Sequence, residues 1–306
     1  MPCGQQRLQA ENGSSMDTEQ ACRLQRPKGI ALAYRVRRAR VPGQPAVILI
    51  HGLASNLTRW SEFVEHTTLK QRHDLIRVDL RGHGGSLTRR AIGLPYWCDD
   101  LAAMLDKEGH DKAIVIGHSL GAQVALHFAD RHPRRCAGLV LIDPIFRQAL
   151  HGHWKWLARM APLLGVAAAL VRAINTLGIY RRQLPALDLH ALDTSARQTL
   201  VSTDGGSLFV RPYSATRINW RYLPVAVCLQ DLAEVFRPAP ALRFLHTPML
   251  VLLSTGATFA NPVEMRRLLD DLPNIDVQTI DSHHWPLTER PLEVRQAIEQ
   301  WCERFA

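Results

Sequence analysis

The sequence predicts an α/β fold: a mostly parallel sheet with helices on both faces and a mainly helical segment inserted between two strands. Three observations carry this expectation. Short apolar runs recur along the chain, and each breaks abruptly into a loop of glycine and polar residues. Helical patterns alternate with those runs, as successive strand–helix units require. The alternation then lapses between residues 145 and 245 and resumes near the C-terminus.

Taken in order, residues 1–28 are polar and read as a disordered leader. "IALAYRVRRA" (30–39) is strand-like, with partial alternation. "AVILI" (46–50) breaks at "HGLASN", and "DLIRVDL" (74–80) breaks at "RGHGGS". A helical pattern over 96–109 leads into "AIVIG" (113–117), a helix over 120–131, and "GLVLI" (138–142), which breaks at Asp143-Pro144. Apolar runs of this kind fit strands covered on both faces. The stretch "HWKWLARMAPLLGVAAALVRAINTLG" is amphipathic, and prolines from Pro185 to Pro240 punctuate the remainder of the insertion. Strand, helix, strand and helix then return near 248–254, 261–272, 275–280 and 291–305. The core is thus expected over 29–144 and 246–306. Residues 145–245 are expected to form a mainly helical cap over the ligand site, where such insertions usually lie.

At 306 residues and 46% hydrophobic content, the chain is long enough for one large domain with an insertion, or for two small ones. The net charge of +9 is regional. Residues 145–230 hold ten Lys and Arg against Asp188, Asp193 and Asp204, an excess of +7. No nucleic-acid module accompanies that excess, so no nucleic-acid partner is expected. A solvated face is the plain interpretation, and peripheral contact with an anionic membrane through the basic cap is the sharper one. The six cysteines are scattered without a CxxC pair, consistent with reduced thiols in a reducing compartment. No apolar core of a secretory signal is visible in residues 1–28, and "MAPLLGVAAALV" (160–171) is too short to span a bilayer. A cytoplasmic location is therefore expected. His151-Gly152-His153 lacks further spaced ligands, and neither metal nor cofactor is expected.

Gly117-His118-Ser119-Leu120-Gly121 is the chemically informative junction. It fits G-x-S-x-G between a strand and a helix, a sharp turn that lifts the serine hydroxyl clear of the backbone. The two glycines are expected where neighbouring chain passes close by. Ser86 sits in a loop without that context. A serine hydroxyl is a weak nucleophile and needs a positioned base. "DSHHWPLTERPLEV" (281–294) offers His283 and His284 just after the last apolar strand, over the same sheet edge as Ser119. A tetrahedral intermediate also needs backbone N–H donors. Leu120 opens the following helix, and Leu53 lies in the turn after "AVILI", so their N–H groups are the candidate oxyanion donors.

Together these pieces resemble the α/β-hydrolase fold family, in its cap-bearing serine esterase branch. The resemblance runs through "HGLASNLTRW", "DLRGHGGS", "GHSLG" and "HWPLTERP", covering residues 30–144 and 246–306. In the family's H-x-x-x-x-E-x-P tail the base lies five residues before the glutamate. Counting back from Glu289 selects His284 over His283. The family usually carries its triad acid shortly after the strand that follows the cap. Here "LLSTGATFANP" puts that position near Ala257, with no carboxylate between 254 and 260. Some members carry the acid instead at the end of the strand beside the nucleophile strand, where this chain has Asp143.

A right-handed crossover through the 120–131 helix would set strand 138–142 about 5 Å from strand 113–117. Asp143 would then emerge at the same edge as Ser119. Asp281 and Asp276 remain as alternatives, and an Asp-Pro pair after a strand is also a plain turn former. Asp79, Arg81 and Ser86 are taken as a structural turn.

The resemblance implies hydrolysis of a small-molecule carboxylic ester or related acyl bond by Ser119, His284 and Asp143, without cofactor. Serine in place of aspartate at the elbow argues against the dehalogenase and epoxide-hydrolase branches. The fold also hosts thioesterases, lactonases and C–C bond hydrolases, and fold alone does not choose among them. Apolar side chains of the inserted segment, among them Trp154, Trp156, Leu163 and Leu170, are candidates to line an acyl pocket. An interfacial lipase within the same fold, or a member that binds a ligand or partner without turnover, are the rival functions.

Overall fold

The computed structural model describes residues 18–202, 221–256, 259–270 and 272–305. Its strands are β1 (Gln20–Arg26), β2 (Ile30–Arg37), β3 (Ala46–Ile50), β4 (Leu75–Val78), β5 (Ala113–His118), β6 (Cys136–Ile142), β7 (Met249–Ser254) and β8 (Ile275–Ile280). They form one sheet in the order β1-β2-β4-β3-β5-β6-β7-β8. The pairs β1/β2 and β2/β4 are antiparallel and the rest are parallel. The mostly parallel α/β sheet expected from the apolar runs is the fold observed.

The core helices are α1 (Ser61–His66), α2 (Leu94–Glu108) and α3 (Leu120–Arg131). The inserted segment supplies α4 (His153–Arg159), α5 (Ala161–Thr176), α6 (Leu189–Ser202) and α7 (Val225–Val235). After it come α8 (Pro262–Leu269), α9 (Pro286–Glu289) and α10 (Pro291–Cys302). Side chains alternate across a strand, so each central strand feeds two cores. Ile48 and Ile50 of β3 point with Val115 and Leu139 toward Leu101 and Leu105 of α2 and Phe128 of α3. Val47 and Leu49 point the other way with Ile114, Ile116 and Val140, toward Trp60, Phe63, Ile298 and Trp301. Each such aliphatic side chain contributes about 1.5–3 kcal/mol by leaving water. This two-sided burial explains why the central strands are continuously apolar.

One expectation is corrected, and one is given detail. The leader does not run to residue 28, because Gln20–Arg26 forms β1, paired along its length with β2. Only Cys22 of β1 is buried, so the strand lacks an apolar signature. It is held by its ladder and by the Pro27–Gly29 turn, where Lys28 (φ 64°) and Gly29 (φ 71°) are left-handed. The rest of the expected leader, residues 1–17, lies outside the described residues. The amphipathic stretch after His153 is also two helices, α4 and α5, bent by 57° at Met160. Pro162, in the first turn of α5, starts a new helix readily but lacks the N–H that would continue the old one.

Several polar links among the described residues fasten the inserted segment to the core. Arg59 donates to both carboxylate oxygens of Asp193 on α6, at 2.6 and 2.7 Å, and to Thr288 Oγ1 at 2.6 Å. His83 meets Asp231 of α7 at 2.8 Å, with both side chains fully buried. Asn56 Nδ2 donates to the Leu187 carbonyl at 2.7 Å. The 79–86 turn is structural, as expected: Asp79 accepts from the N–H groups of Leu57 and Gly85, and Ser86 Oγ donates to the Asp79 carbonyl.

Candidate active site

β5 ends at His118 and α3 begins at Leu120, leaving Ser119 between them with φ 53° and ψ −113°. A residue with a Cβ seldom adopts positive φ unless its surroundings impose it. Close packing imposes it here. A Cβ on Gly117 would lie 2.1 Å from the Gly121 carbonyl oxygen, and one on Gly121 would lie 2.4 Å from that of Ile50. Only glycine lets α3 approach β3 this closely. The turn after β3 also lies against the serine, since a Cβ on Gly52 would be 3.4 Å from Ser119 Cβ. The residues of the two expected oxyanion donors therefore flank Ser119. Leu120 opens α3, where a backbone N–H has no intrahelical partner.

His284 Nε2 stands 2.9 Å from Ser119 Oγ, and its Nδ1 stands 2.9 Å from Asp143 Oδ2. The carboxylate on Nδ1 takes that nitrogen's proton in a hydrogen bond, which leaves Nε2 to accept from the serine hydroxyl. Asp143 leaves β6 with φ 48°, and its Oδ1 accepts from the Ser254 N–H at 2.8 Å. The carboxylate is thus held from two sides, at the tips of β6 and β7. Ser119 and His284 are both buried, so their mutual hydrogen bonds are shielded from competing water.

The other candidates lie elsewhere. His283 points away from the serine, its N–H and ring both bonded to Glu289. Glu289 also accepts from the Trp285 N–H at 3.3 Å. The glutamate of the H-x-x-x-x-E pattern thereby shapes the loop that carries His284. Asp281 is exposed and accepts from Thr255 Oγ1, while Asp276 is engaged by Trp301 Nε1 and Arg304. Neither approaches His284. Ala257, the position of the expected but missing carboxylate, lies outside the described residues.

Several supporting residues gave no signal in the sequence. His118 Nε2 donates to the His284 carbonyl at 2.9 Å, and the two rings are 5.2 Å apart. Burial, with His284 alongside, pushes the His118 imidazole down to about 3, so it stays neutral and can donate. His51 accepts the Leu80 N–H on Nε2 at 3.1 Å, and its Nδ1 donates to the Gly52 carbonyl at 2.8 Å. Burial holds its pKa well below the usual imidazole value. The ring fixes the turn that carries Leu53. Each is bonded to one backbone atom distant in the chain, that of Leu80 or His284, which spacing alone does not reveal.

A cavity beside Asp143 and His284 is lined by Ile145, Leu253, Phe259, Ala260 and Met265. Phe259 meets the His284 ring edge-on at 4.4 Å, and Trp154 meets Phe259 at 4.7 Å. Ser119 does not line this cavity, whose walls come largely from the loops after β6 and β7. Of the α4–α5 side chains, Trp154 takes part through Phe259, whereas Trp156, Leu163, Val166 and Leu170 are exposed. α5 packs against α7; its fully buried residues are the small Ala161 and Ala168, with Leu164 and Val171 half-buried beside them. Among the described residues, no cluster of His, Cys, Asp and Glu is close enough to hold a metal ion.

A mostly parallel sheet with a strained serine at a strand–helix turn, followed in line by a histidine and an aspartate, defines a hydrolase-type architecture. The profile of the alpha/beta hydrolase fold matches residues 45–291, and the chain belongs to that family. It is 37% identical over 112 residues to an uncharacterized protein of Mycobacterium tuberculosis, a stretch that is 36% of this chain and 32% of that protein. The chain thus matches about a third of the length of that relative. A probable alcohol acetyltransferase of Saccharomyces cerevisiae is 24% identical over 277 residues, covering 85% of this chain and 78% of the other. Among solved structures, an esterase of Thermogutta terrifontis has a TM-score of 0.65 at 24% identity, over 94% of this chain and 99% of that one. That likeness is one of fold.

Proposed function

We propose that the protein is a serine hydrolase that cleaves a carboxylic ester through an acyl-enzyme. Ser119 Oγ attacks the ester carbonyl carbon as its proton passes to His284 Nε2. Asp143 holds the imidazole in orientation and stabilises the imidazolium that forms. The Leu53 and Leu120 N–H groups receive the oxyanion, and each such donor contributes about a hundredfold or more to the rate. His284 then gives its proton to the departing alkoxide oxygen. In the second half, His284 takes a proton from water as the hydroxide attacks the acyl carbon, and Ser119 leaves with the proton restored.

The observation that carries this reading is the unbroken line Asp143–His284–Ser119, with 2.9 Å at each link. A binding protein without turnover has no need of a strained serine facing an imidazole, and the carboxylate absent near Ala257 is supplied by Asp143. The yeast acetyltransferase relative raises the same chemistry with an alcohol as the final acceptor. The test is turnover of p-nitrophenyl esters across acyl chain length, with and without added ethanol. Ester cleavage that disappears in Ser119→Ala supports hydrolysis, and ethyl ester product would move the acceptor from water to alcohol. Undiminished turnover in Ser119→Ala would refute the assignment.

A further inference from the structure

The helix α5 is built the wrong way round for a surface helix. A surface helix normally turns its large apolar side chains inward and its polar ones outward. Here the buried residues of the inward face are Ala161 and Ala168, with Leu164 and Val171 half-buried beside them. The outward face carries Leu163, Val166 and Leu170, which are 58%, 58% and 61% exposed, and continues through Ile174 to Leu177 at 76%. The spacing of three, four, four and three residues sets them in one stripe about 21 Å long. Trp156, 62% exposed, adds an indole from α4. Contiguous exposed apolar surface of this kind marks a contact site.

The surrounding charge has one sign. From 144 to 187 the sequence contains no Asp or Glu and six Lys and Arg. Lys155 and Arg159 flank the stripe on the α4 side, and Arg181 and Arg182 follow its far end; all four are exposed. Of the acids on adjoining elements, Asp188, just before α6, is exposed, and the others are buried. Asp231 and Glu234 of α7 are buried against His83 and Arg237, and Asp193 of α6 is buried against Arg59. With Asp188 as the one exposed acid among these, the exposed charge of the α4–α5 segment is predominantly positive.

We infer that the α4–α5 face docks on an anionic lipid surface, with the stripe inserted among the acyl chains and the cations against the headgroups. An amphipathic helix lying in the plane of a bilayer interface requires those two components together. A second copy of the chain is the weaker occupant, because pairing this face with itself would bring its exposed cations together. No single helix among the described residues is long and apolar enough to cross a membrane, and a helix lying flat does not need to be. The docking stands apart from the proposed hydrolysis, since none of these side chains belongs to the site around Ser119.

The test uses the full chain carrying Ser119→Ala, so that no lipid is consumed, in flotation with unilamellar vesicles. Vesicles of phosphatidylcholine alone are compared with vesicles containing phosphatidylglycerol. Binding to the anionic vesicles is expected to be about tenfold or more tighter than to the neutral ones, and to weaken with salt. Leu163→Ser with Leu170→Ser, and separately Lys155→Glu with Arg159→Glu, are expected to lower it about tenfold or more while far-UV circular dichroism is unchanged. The vesicle and salt comparison on the chain without these surface changes decides the matter even if a variant misfolds. No binding to anionic vesicles, equal binding to both compositions, or a soluble dimer that the serine pair dissociates would each overturn the inference. Loss of ester turnover alone would leave it standing.

Discussion

His118 donates from Nε2 to the carbonyl oxygen of His284 at 2.9 Å, so the residue preceding the serine grips the backbone of the residue that faces it. The elbow and the C-terminal loop are thereby tied at the point where proton transfer is proposed. Burial depresses the His118 pKa to about 3, so the bond is made by a neutral ring and no positive charge is placed beside His284. His118 thus acts as a positioning residue. Replacing it with Asn or Phe is expected to lower kcat about tenfold to a hundredfold with little change in KM, because the imidazole loses its alignment and not its identity. Steady-state ester kinetics check this, and unchanged kcat would contradict it.

The same depressed pKa has a stability consequence whose sign is fixed. An unfolded histidine titrates near 6.5, whereas folded His118 takes up its proton only near 3. Between those values the unfolded chain binds more protons, so this contribution is full above about pH 6.5 and is lost as pH falls. By pH 5 the loss from this group amounts to about 2 kcal/mol. Urea unfolding at pH 7 and pH 5 is expected to show that much less acid sensitivity in His118→Phe than in the unsubstituted chain.

Asp143 is expected to matter through charge and orientation. Asp143→Asn should lower kcat about a thousandfold or more, since the amide favours the wrong imidazole tautomer and leaves the imidazolium uncompensated. Asp281→Asn and Asp276→Asn should leave kcat within about twofold, their carboxylates being engaged elsewhere. Parallel p-nitrophenyl acetate assays of the three variants decide between the carboxylates.

The pair Arg59–Asp193 is buried on both sides, with side chains 5% and 7% exposed. Removing one partner strands a charge, and Arg59→Met is expected to destabilise the chain by about 3 kcal/mol or more. Joining it with Asp193→Leu should restore part of that loss, because no lone charge then remains buried. A denaturant double-mutant cycle measures the coupling. Additive losses would show that the pair is not the link between α6 and the core.

Much of this architecture is legible in the chain because the relevant signals are local. The central strands are continuous apolar runs, since both of their faces are covered, and the glycines around Ser119 mark the close approach of α3 to β3. His284 is distinguishable from His283 by its spacing to Glu289, and Asp143 by its place at the tip of the strand beside β5. What stays hidden is set by partners distant in the chain. β1 has one buried side chain and is held by its ladder. The amide of Ser254 that steadies Asp143 is 111 residues away. The outward turn of α5 depends on α7, which periodicity does not reveal, because an apolar stripe looks the same whichever way it faces.

The proposed chemistry rests on activation of the Ser119 hydroxyl by His284. Intact-protein mass spectrometry after exposure to a fluorophosphonate measures this directly, with the adduct mapped by peptide. One adduct is predicted, on Ser119, absent in Ser119→Ala and formed about a thousandfold or more slowly in His284→Ala. An adduct on another residue, or labelling of Ser119 at an undiminished rate without His284, would contradict it.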